Sequence, residues 1–432
     1  MIQTSKNLDV PFQKVRPLAL LHCCKEVLRQ QDSGTVLRSH FVYRLPNIAA
    51  IIPIDTFPNQ ESQKCAIFLL FPKQIWSSRN GKIKEVAPEL QAAEGEEVFD
   101  ASGKYVTPGM IDAHSHICIS EEGMGSIGDD CCDYSGALTP ELEVLDGIYP
   151  FDRAVMDSVR AGVTAACVCP GSDGVVGGVA STITLNGTVA DEMLLRRYTA
   201  MKCSVGENPK TAKHGFESRM GVAYHLRKCL EDAIEYRHDK EEAEKSGSWF
   251  KRDIGMENML KVLNKEMPIH MHAHRSDDIC TAIRIAQEYD VDLVLVHCTD
   301  GIAVADYLAK FPYPVIVGPG MTPRSKHETW NKTYETAGVL SRAGLKVCIT
   351  ADHDVTPLYY LPVYAALSVR DGMDELEGLK AVTINPAEVL GIDDRKGSLT
   401  AGKDADIVVW DQHPFAYQAH VEQVFLSGKA MC

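Results

Sequence analysis

The stretch VTPGMIDAHSH, residues 106–116, decides the reading. It is an apolar run that ends on two histidines one residue apart. Residues two apart on a strand face the same way, so His114 and His116 can enter one cavity. Three later segments repeat the design. PIHMHAHR (268–275), DLVLVHCTD (292–300) and LKVCITADHD (345–354) are apolar runs that end on His272, His297 and Asp352. Imidazoles and a carboxylate gathered at strand ends suit a zinc-like divalent ion.

Working outward, further apolar runs lie between these: VTAACV (163–168), STITL (181–185), AMKCSV (200–205) and YPVIVG (313–318). Helical patterns such as DDICTAIRIAQEY (277–289) and IAVADYLAKF (302–311) separate most of them. With YVTPGMIDAH as the first strand, eight strand candidates alternate with helices. Strands buried on both faces read as continuous apolar runs, so the expectation is a parallel sheet closed into an α/β (β/α)8 TIM-like barrel. A doubly wound open sheet is the alternative. In a barrel all five candidate ligands fall at the C-terminal rim, where such folds build their sites.

The flanks differ. NGKIKEV (80–86) and EEVFDASGKYVTPG (96–109) read as a turn-and-strand and a hairpin. GSLTAGKDADIVVWD (397–411) and HVEQVFLSGK (420–429) mirror them. This predicts a small β-sandwich from 76–106 and 393–432, around a barrel over 107–392. Residues 1–75 carry nine basic and five acidic residues and a single glycine, Gly34. They include the apolar runs IAAIIPI (48–54) and CAIFLLF (65–71), possible strands, and receive no function.

Composition excludes other classes. The 432 residues are 45% hydrophobic and 24% charged, as in ordinary globular proteins. A net charge of −15 argues against a global nucleic-acid grip. No apolar run approaches the ~20 residues of a membrane helix. The 14 cysteines form no Cys-x-x-Cys, and the N-terminus is a poor signal peptide, so free thiols in the cytoplasm are expected. The expected partner is a small-molecule substrate; a homo-oligomer is compatible with the composition.

The motifs VTPGMIDAHSH, AGVTAACVCPGS (161–172), GENPK (206–210), MHAHR (271–275), LVHCTDG (295–301), ITADHDVTP (349–357), TINPAEVLGI (383–392) and GSLTAGKDADIVVW (397–410) resemble the amidohydrolase superfamily, and within it the imidazolonepropionase-like metal-dependent group. The resemblance covers about residues 80–432. It implies ligation of one or two divalent ions, zinc first and manganese or iron as alternatives, by His114, His116, His272 and His297. Asp352 would stand at the metal as the base, with His297 sharing ligation and oxyanion stabilisation. For a bridging group from the third or fourth strand the chain offers Glu207, preferred for its place past the strand end, and Lys202 as a carbamate. His274 and Arg275 would lie nearer the substrate, with His270 deeper and structural. Arg324 and His327 are candidates for a substrate carboxylate. EEGMGSIGDD (121–130) is a lid or a solvated loop.

The activity this implies is hydrolysis of an amide or cyclic amide C–N bond through a metal-activated water. A deaminase is the alternative, but it usually wants a glutamate where this chain has Arg275. A non-catalytic scaffold is a third reading, opposed by the presence of every expected ligand.

Overall fold

The structure is a computed structural model that describes residues 75–87, 92, 98–211 and 214–431. The expectations for 1–74 lie outside the described residues. Two strands, β1 (Ile75–Arg79) and β2 (Lys82–Ala87), pair antiparallel as a ribbon around the turn at Asn80 and Gly81. Of the hairpin expected over 96–109, the described residues 98–109 show a longer-range pairing instead. Strand β3 (Tyr105–Pro108) leaves that segment and pairs with a strand near the C-terminal end of the chain.

The run expected as the first barrel strand is therefore two strands. Gly109 separates β3 from β4 (Met110–Ser115). A Cβ on Gly109 would stand 2.1 Å from the Thr164 hydroxyl, so only glycine lets the chain step from one sheet to the next here. Then follow β5 (Val163–Val168), β6 (Val176–Thr184), β7 (Leu194–Ser204), β8 (Ile269–Ala273), β9 (Leu293–His297), β10 (Val315–Val317) and β11 (Val347–Ile349). These form one eight-stranded sheet in chain order.

The sheet is not all parallel, which corrects the expectation. β6 runs antiparallel to both β5 and β7. STITL is only the end of this longer strand. The segments joining β5 to β6 and β6 to β7 contain no helix beyond Ala190–Met193, and so short a link cannot carry a parallel crossover. Elsewhere helices cover the sheet. Ser276–Glu288 buries Ile279, Ala282, Ile283 and Ala286 at helical spacing.

Alternation along the strands separates two cores. Ile269, Met271 and Ala273 of β8, with Leu293 and Leu295 of β9, pack outward under the helices. Val294, Val296, Ala165, Cys167, Ala200 and Ile316 fill the interior. The sheet is nearly closed. At the seam Ile111 N donates to Val382 O and Ile349 N to Ala381 O, so residues 381–382 lie between β4 and β11. The Asp112 carboxylate also crosses it, accepting from Ala351 N at 2.9 Å.

Strands β12 (Ile407–Trp410), β13 (Val421–Leu426) and β14 (Lys429–Ala430) complete the four-stranded sheet with β3. Ile83 of the ribbon joins Val106, Leu399, Ala405, Ile407 and Val409 in a small core. Asp404 ties the parts together, accepting from Lys82, Arg395 and Lys396. Among the described residues no helix is long and apolar enough to cross a membrane.

Candidate metal centre and active site

Period-two alternation turns His270 and His272 of β8 away from the outer core and into the barrel. His297 closes β9, and parallel pairing sets Ala273 opposite it. His114 stands near the end of β4, with His116 one residue past its end. Asp352 follows β11 by three residues in a left-handed conformation, φ 56°.

These side chains converge. Asp352 Oδ1 lies 3.3 Å from His114 Nε2 and 3.5 Å from His116 Nε2. Donor atoms of His114, His297 and Asp352 all fall within 4.8 Å of one another, as do those of His272, His274 and His297. The two triads share His297. The His274 and His297 rings stack at 4.4 Å, and His272 stands 4.5 Å from His297 in an edge contact.

Backbone carbonyls orient two of the rings. His297 Nδ1 donates to Gly318 O and His116 Nδ1 to Cys169 O, each at 2.7 Å. With that proton on Nδ1, each ring turns the Nε2 lone pair to the cavity, the usual arrangement around a metal ligand. Gly318 permits this contact. Its φ is +147°, and a Cβ would meet Thr350 O at 2.1 Å.

Burial pushes His272 and His274 well below the usual imidazole range, helped by the neighbouring His297, and takes His297 down to about 3. These rings are neutral at pH 7, the form that ligates. Burial alone would raise Asp352, but His297, His114 and His116 outweigh it and hold the carboxyl well below its ordinary range. Asp352 Oδ1, His114 Nδ1 and His272 Nδ1 are buried without a hydrogen-bond partner. Such atoms cost roughly 1–3 kcal/mol each when left unsatisfied. Two overlapping nitrogen and oxygen triads with an orphaned carboxylate oxygen fit a divalent cation.

Lys202 of β7 is buried, and its Nζ lies 3.3 Å from His114 Nε2. Glu207 pairs with Glu328. Its carboxylate accepts from Glu328 N at 3.1 Å, while Glu207 N donates to Glu328 Oε2 at 3.0 Å. Of the two residues offered for the fourth strand, the structure brings Lys202 to the histidines and uses Glu207 to hold the loop after β10. Arg275 pairs with Asp277. Arg324 donates to Trp330 O and Lys332 O, bracing its own loop, and His327 is exposed.

Three residues were missed by the sequence reading. Glu328 is buried, with Oε1 3.3 Å from His272 Nε2 and 3.7 Å from His274 Nε2. Lys326 lies 2.6 Å from the same oxygen. Asp112 accepts from His114 N at 3.0 Å as well as from Ala351 N, and so anchors the strands that carry His114 and Asp352. Glu328 and Lys326 lie in a polar loop without periodicity, which gives no signal. Asp112 stands in the quoted motif itself, two residues before His114, and that adjacency was its available signal.

A sequence model described as "Amidohydrolase family" matches residues 105–431. The chain belongs to the amidohydrolase family. This amidohydrolase is 38% identical in sequence to an amidohydrolase from Thermotoga maritima MSB8 of known structure, with a TM-score of 0.80 over 83% of this chain and 94% of that one. It is 26% identical to amidohydrolase tasK of Hapsidospora irregularis over 81% of this chain, spanning only 38% of that relative's length. It is 24% identical to an imidazolonepropionase of Symbiobacterium thermophilum over 79% of this chain and 84% of that one. The family comprises hydrolases and deaminases that act on small molecules.

Proposed function

We propose that this amidohydrolase hydrolyses a carbon–nitrogen bond, in an amide or cyclic amide of a small molecule, with water as the nucleophile. The observation that carries this is Asp352. Its Oδ1 lies between His114 and His116, buried and free of any hydrogen bond, with a ring nitrogen of His297 close by.

His114, His116, His272, His297 and Asp352 would hold one or two divalent cations, zinc by preference, with manganese or iron as alternatives. Such an ion supplies Lewis acidity toward a carbonyl oxygen and a water. The ionised Asp352 carboxylate accepts a proton from the attacking water and returns it to the departing nitrogen. An imidazole of the cluster, His297 foremost, faces the developing oxyanion. We favour Lys202 over Glu207 as the fourth-strand group, as an amine carboxylated by CO2. His274 lines the substrate side. Arg275, Arg324 and His327 are candidates for a substrate carboxylate, on condition that Arg275 releases Asp277 and Arg324 releases its two carbonyls.

The ribbon and the four-stranded sheet we read as a small β-sandwich made of 76–106 and 393–432, apart from the catalytic barrel at 107–392. The described cysteines are free, which supports a cytoplasmic setting.

A deaminase is the second reading, and one observation favours it. Position 275 lacks the glutamate of a proton shuttle, but Glu328 brings a carboxylate to His272 from another loop. The test is a screen of zinc- and manganese-loaded protein on N-acyl amino acids, dipeptides and cyclic amides, with ammonia release from heterocycles followed in parallel. Carboxylate and amine products support hydrolysis. Ammonia alone supports the second reading, and inactivity on every class at full metal loading opposes both.

A further inference from the structure

Below the mouth, the barrel interior is built from small and apolar side chains such as Ala113, Ala165, Ala200, Val294 and Ile316. Three side chains of different chemistry stand among them. Cys167 and Cys169 point inward from the β5 segment and His270 from β8, and each is 0% exposed. The two sulfurs are 3.6 Å apart. Both sulfurs and one His270 ring nitrogen lie within 4.8 Å of one another.

The arrangement leaves a chemical need unmet. Neither ring nitrogen of His270 has a hydrogen-bond partner. Cys169 is the nearest polar neighbour of the His270 ring, an ion here would take one of its two nitrogens, and an unsatisfied nitrogen in an apolar interior costs roughly 1–3 kcal/mol. Two thiolates on a tetrahedral zinc, with Zn–S of about 2.3 Å, stand about 3.8 Å apart, close to the spacing found.

We infer that Cys167, Cys169 and His270 bind a thiophilic divalent cation of the zinc type inside the barrel, in addition to the ions proposed for the mouth. Each thiol gives up its proton to solvent on binding, and neutral His270 offers a lone pair. Two thiolates and a dication sum to zero, the charge an apolar interior tolerates best. Two thiolates also separate this set from the mouth, whose donors are nitrogen and oxygen, and select zinc over magnesium or calcium. His270 lies two residues before His272 on the same face of β8, about 6–7 Å deeper along the strand, while Cys169 stands beside His114 and carries the carbonyl that His116 Nδ1 bonds. Strands β5 and β8 are separated by β6 and β7, and an ion here clamps the antiparallel insertion from within. Its role is structural, and it stands whether or not the mouth reading holds.

The test uses the full chain expressed in cobalt-supplemented medium. Nitrogen and oxygen donors give no thiolate-to-cobalt charge-transfer band, so the band reports thiolate ligation and not the mouth. It is expected in the wild type, retained in Asp352→Asn, and lost in Cys167→Ser/Cys169→Ser together with about one equivalent of metal. A cobalt-loaded wild type without the band overturns the inference. So does a band that survives in the double variant, which assigns it to other cysteines such as Cys131 and Cys132. Should the double variant not fold, X-ray absorption at the zinc edge of the wild type decides. Sulfur scattering at about 2.3 Å supports the site. A shell of nitrogen and oxygen alone overturns it and leaves His270 to a buried water.

Discussion

Asp352 is held by contacts that do not depend on its second oxygen. Its backbone N–H donates to the Thr350 hydroxyl at 2.8 Å, and that hydroxyl donates to His114 O. Asp352→Asn therefore keeps the fold but cannot take up a proton. Turnover is expected to fall about 10²–10⁴-fold, with the melting temperature nearly unchanged, as steady-state kinetics and calorimetry would check. Near-normal turnover would remove Asp352 as the base. Lys202 and Glu207 separate in the same way. Lys202→Ala is expected to lower the metal content measured by elemental analysis. Glu207→Ala is expected to retain metal and lose stability, because its carboxylate holds the Glu328 backbone.

At the scale of elements, the link from β10 to β11 carries the orientation of His297. Gly318→Ala pushes a Cβ into Thr350 O and disturbs the carbonyl that His297 Nδ1 bonds. A destabilisation of more than ~1 kcal/mol is expected in denaturant melts, with weaker metal retention. The four-stranded sheet has its own electrostatic tie. Burial would raise Asp404, but Lys82, Lys396 and Arg395 prevail and lower it. A carboxyl lowered on folding stabilises the protein above its unfolded value, about 3.9, and loses that contribution as pH falls through the folded value. Asp404→Asn is expected to cost about 2 kcal/mol at pH 7 and to flatten the stability curve below pH 4, as urea melts across pH would record.

For the molecule as a whole, the proposed cation at the mouth would also act across the seam between β4 and β11. Its histidines and Asp352 arise from β4, β8, β9 and the turn after β11, so an ion there joins distant parts of the sheet. At a free-metal concentration of 100 times Kd, such a ligand adds about 2.7 kcal/mol. Chelator dialysis is expected to lower the melting temperature by several degrees, and zinc to restore it. An unchanged melt, with metal analysis confirming removal, would count against a cation at the mouth.

What the sequence determined by itself was whatever repeats locally. Apolar runs ending in His114, His297 and Asp352 mark strands and the rim of the barrel, because the period of a strand fixes which side chains share a face. Family membership was legible in the same motifs. Tertiary structure alone decided the rest. The direction of β6 depends on which neighbours it meets, since an apolar run reads alike in both directions. The split at Gly109 follows from a contact with Thr164, which is far away in the chain. Glu328 and Lys326 reach the histidines from a loop whose path no periodicity encodes. Lys202 and Glu207 are five residues apart, and only the closing of the barrel turns one inward and leaves the other at the loop.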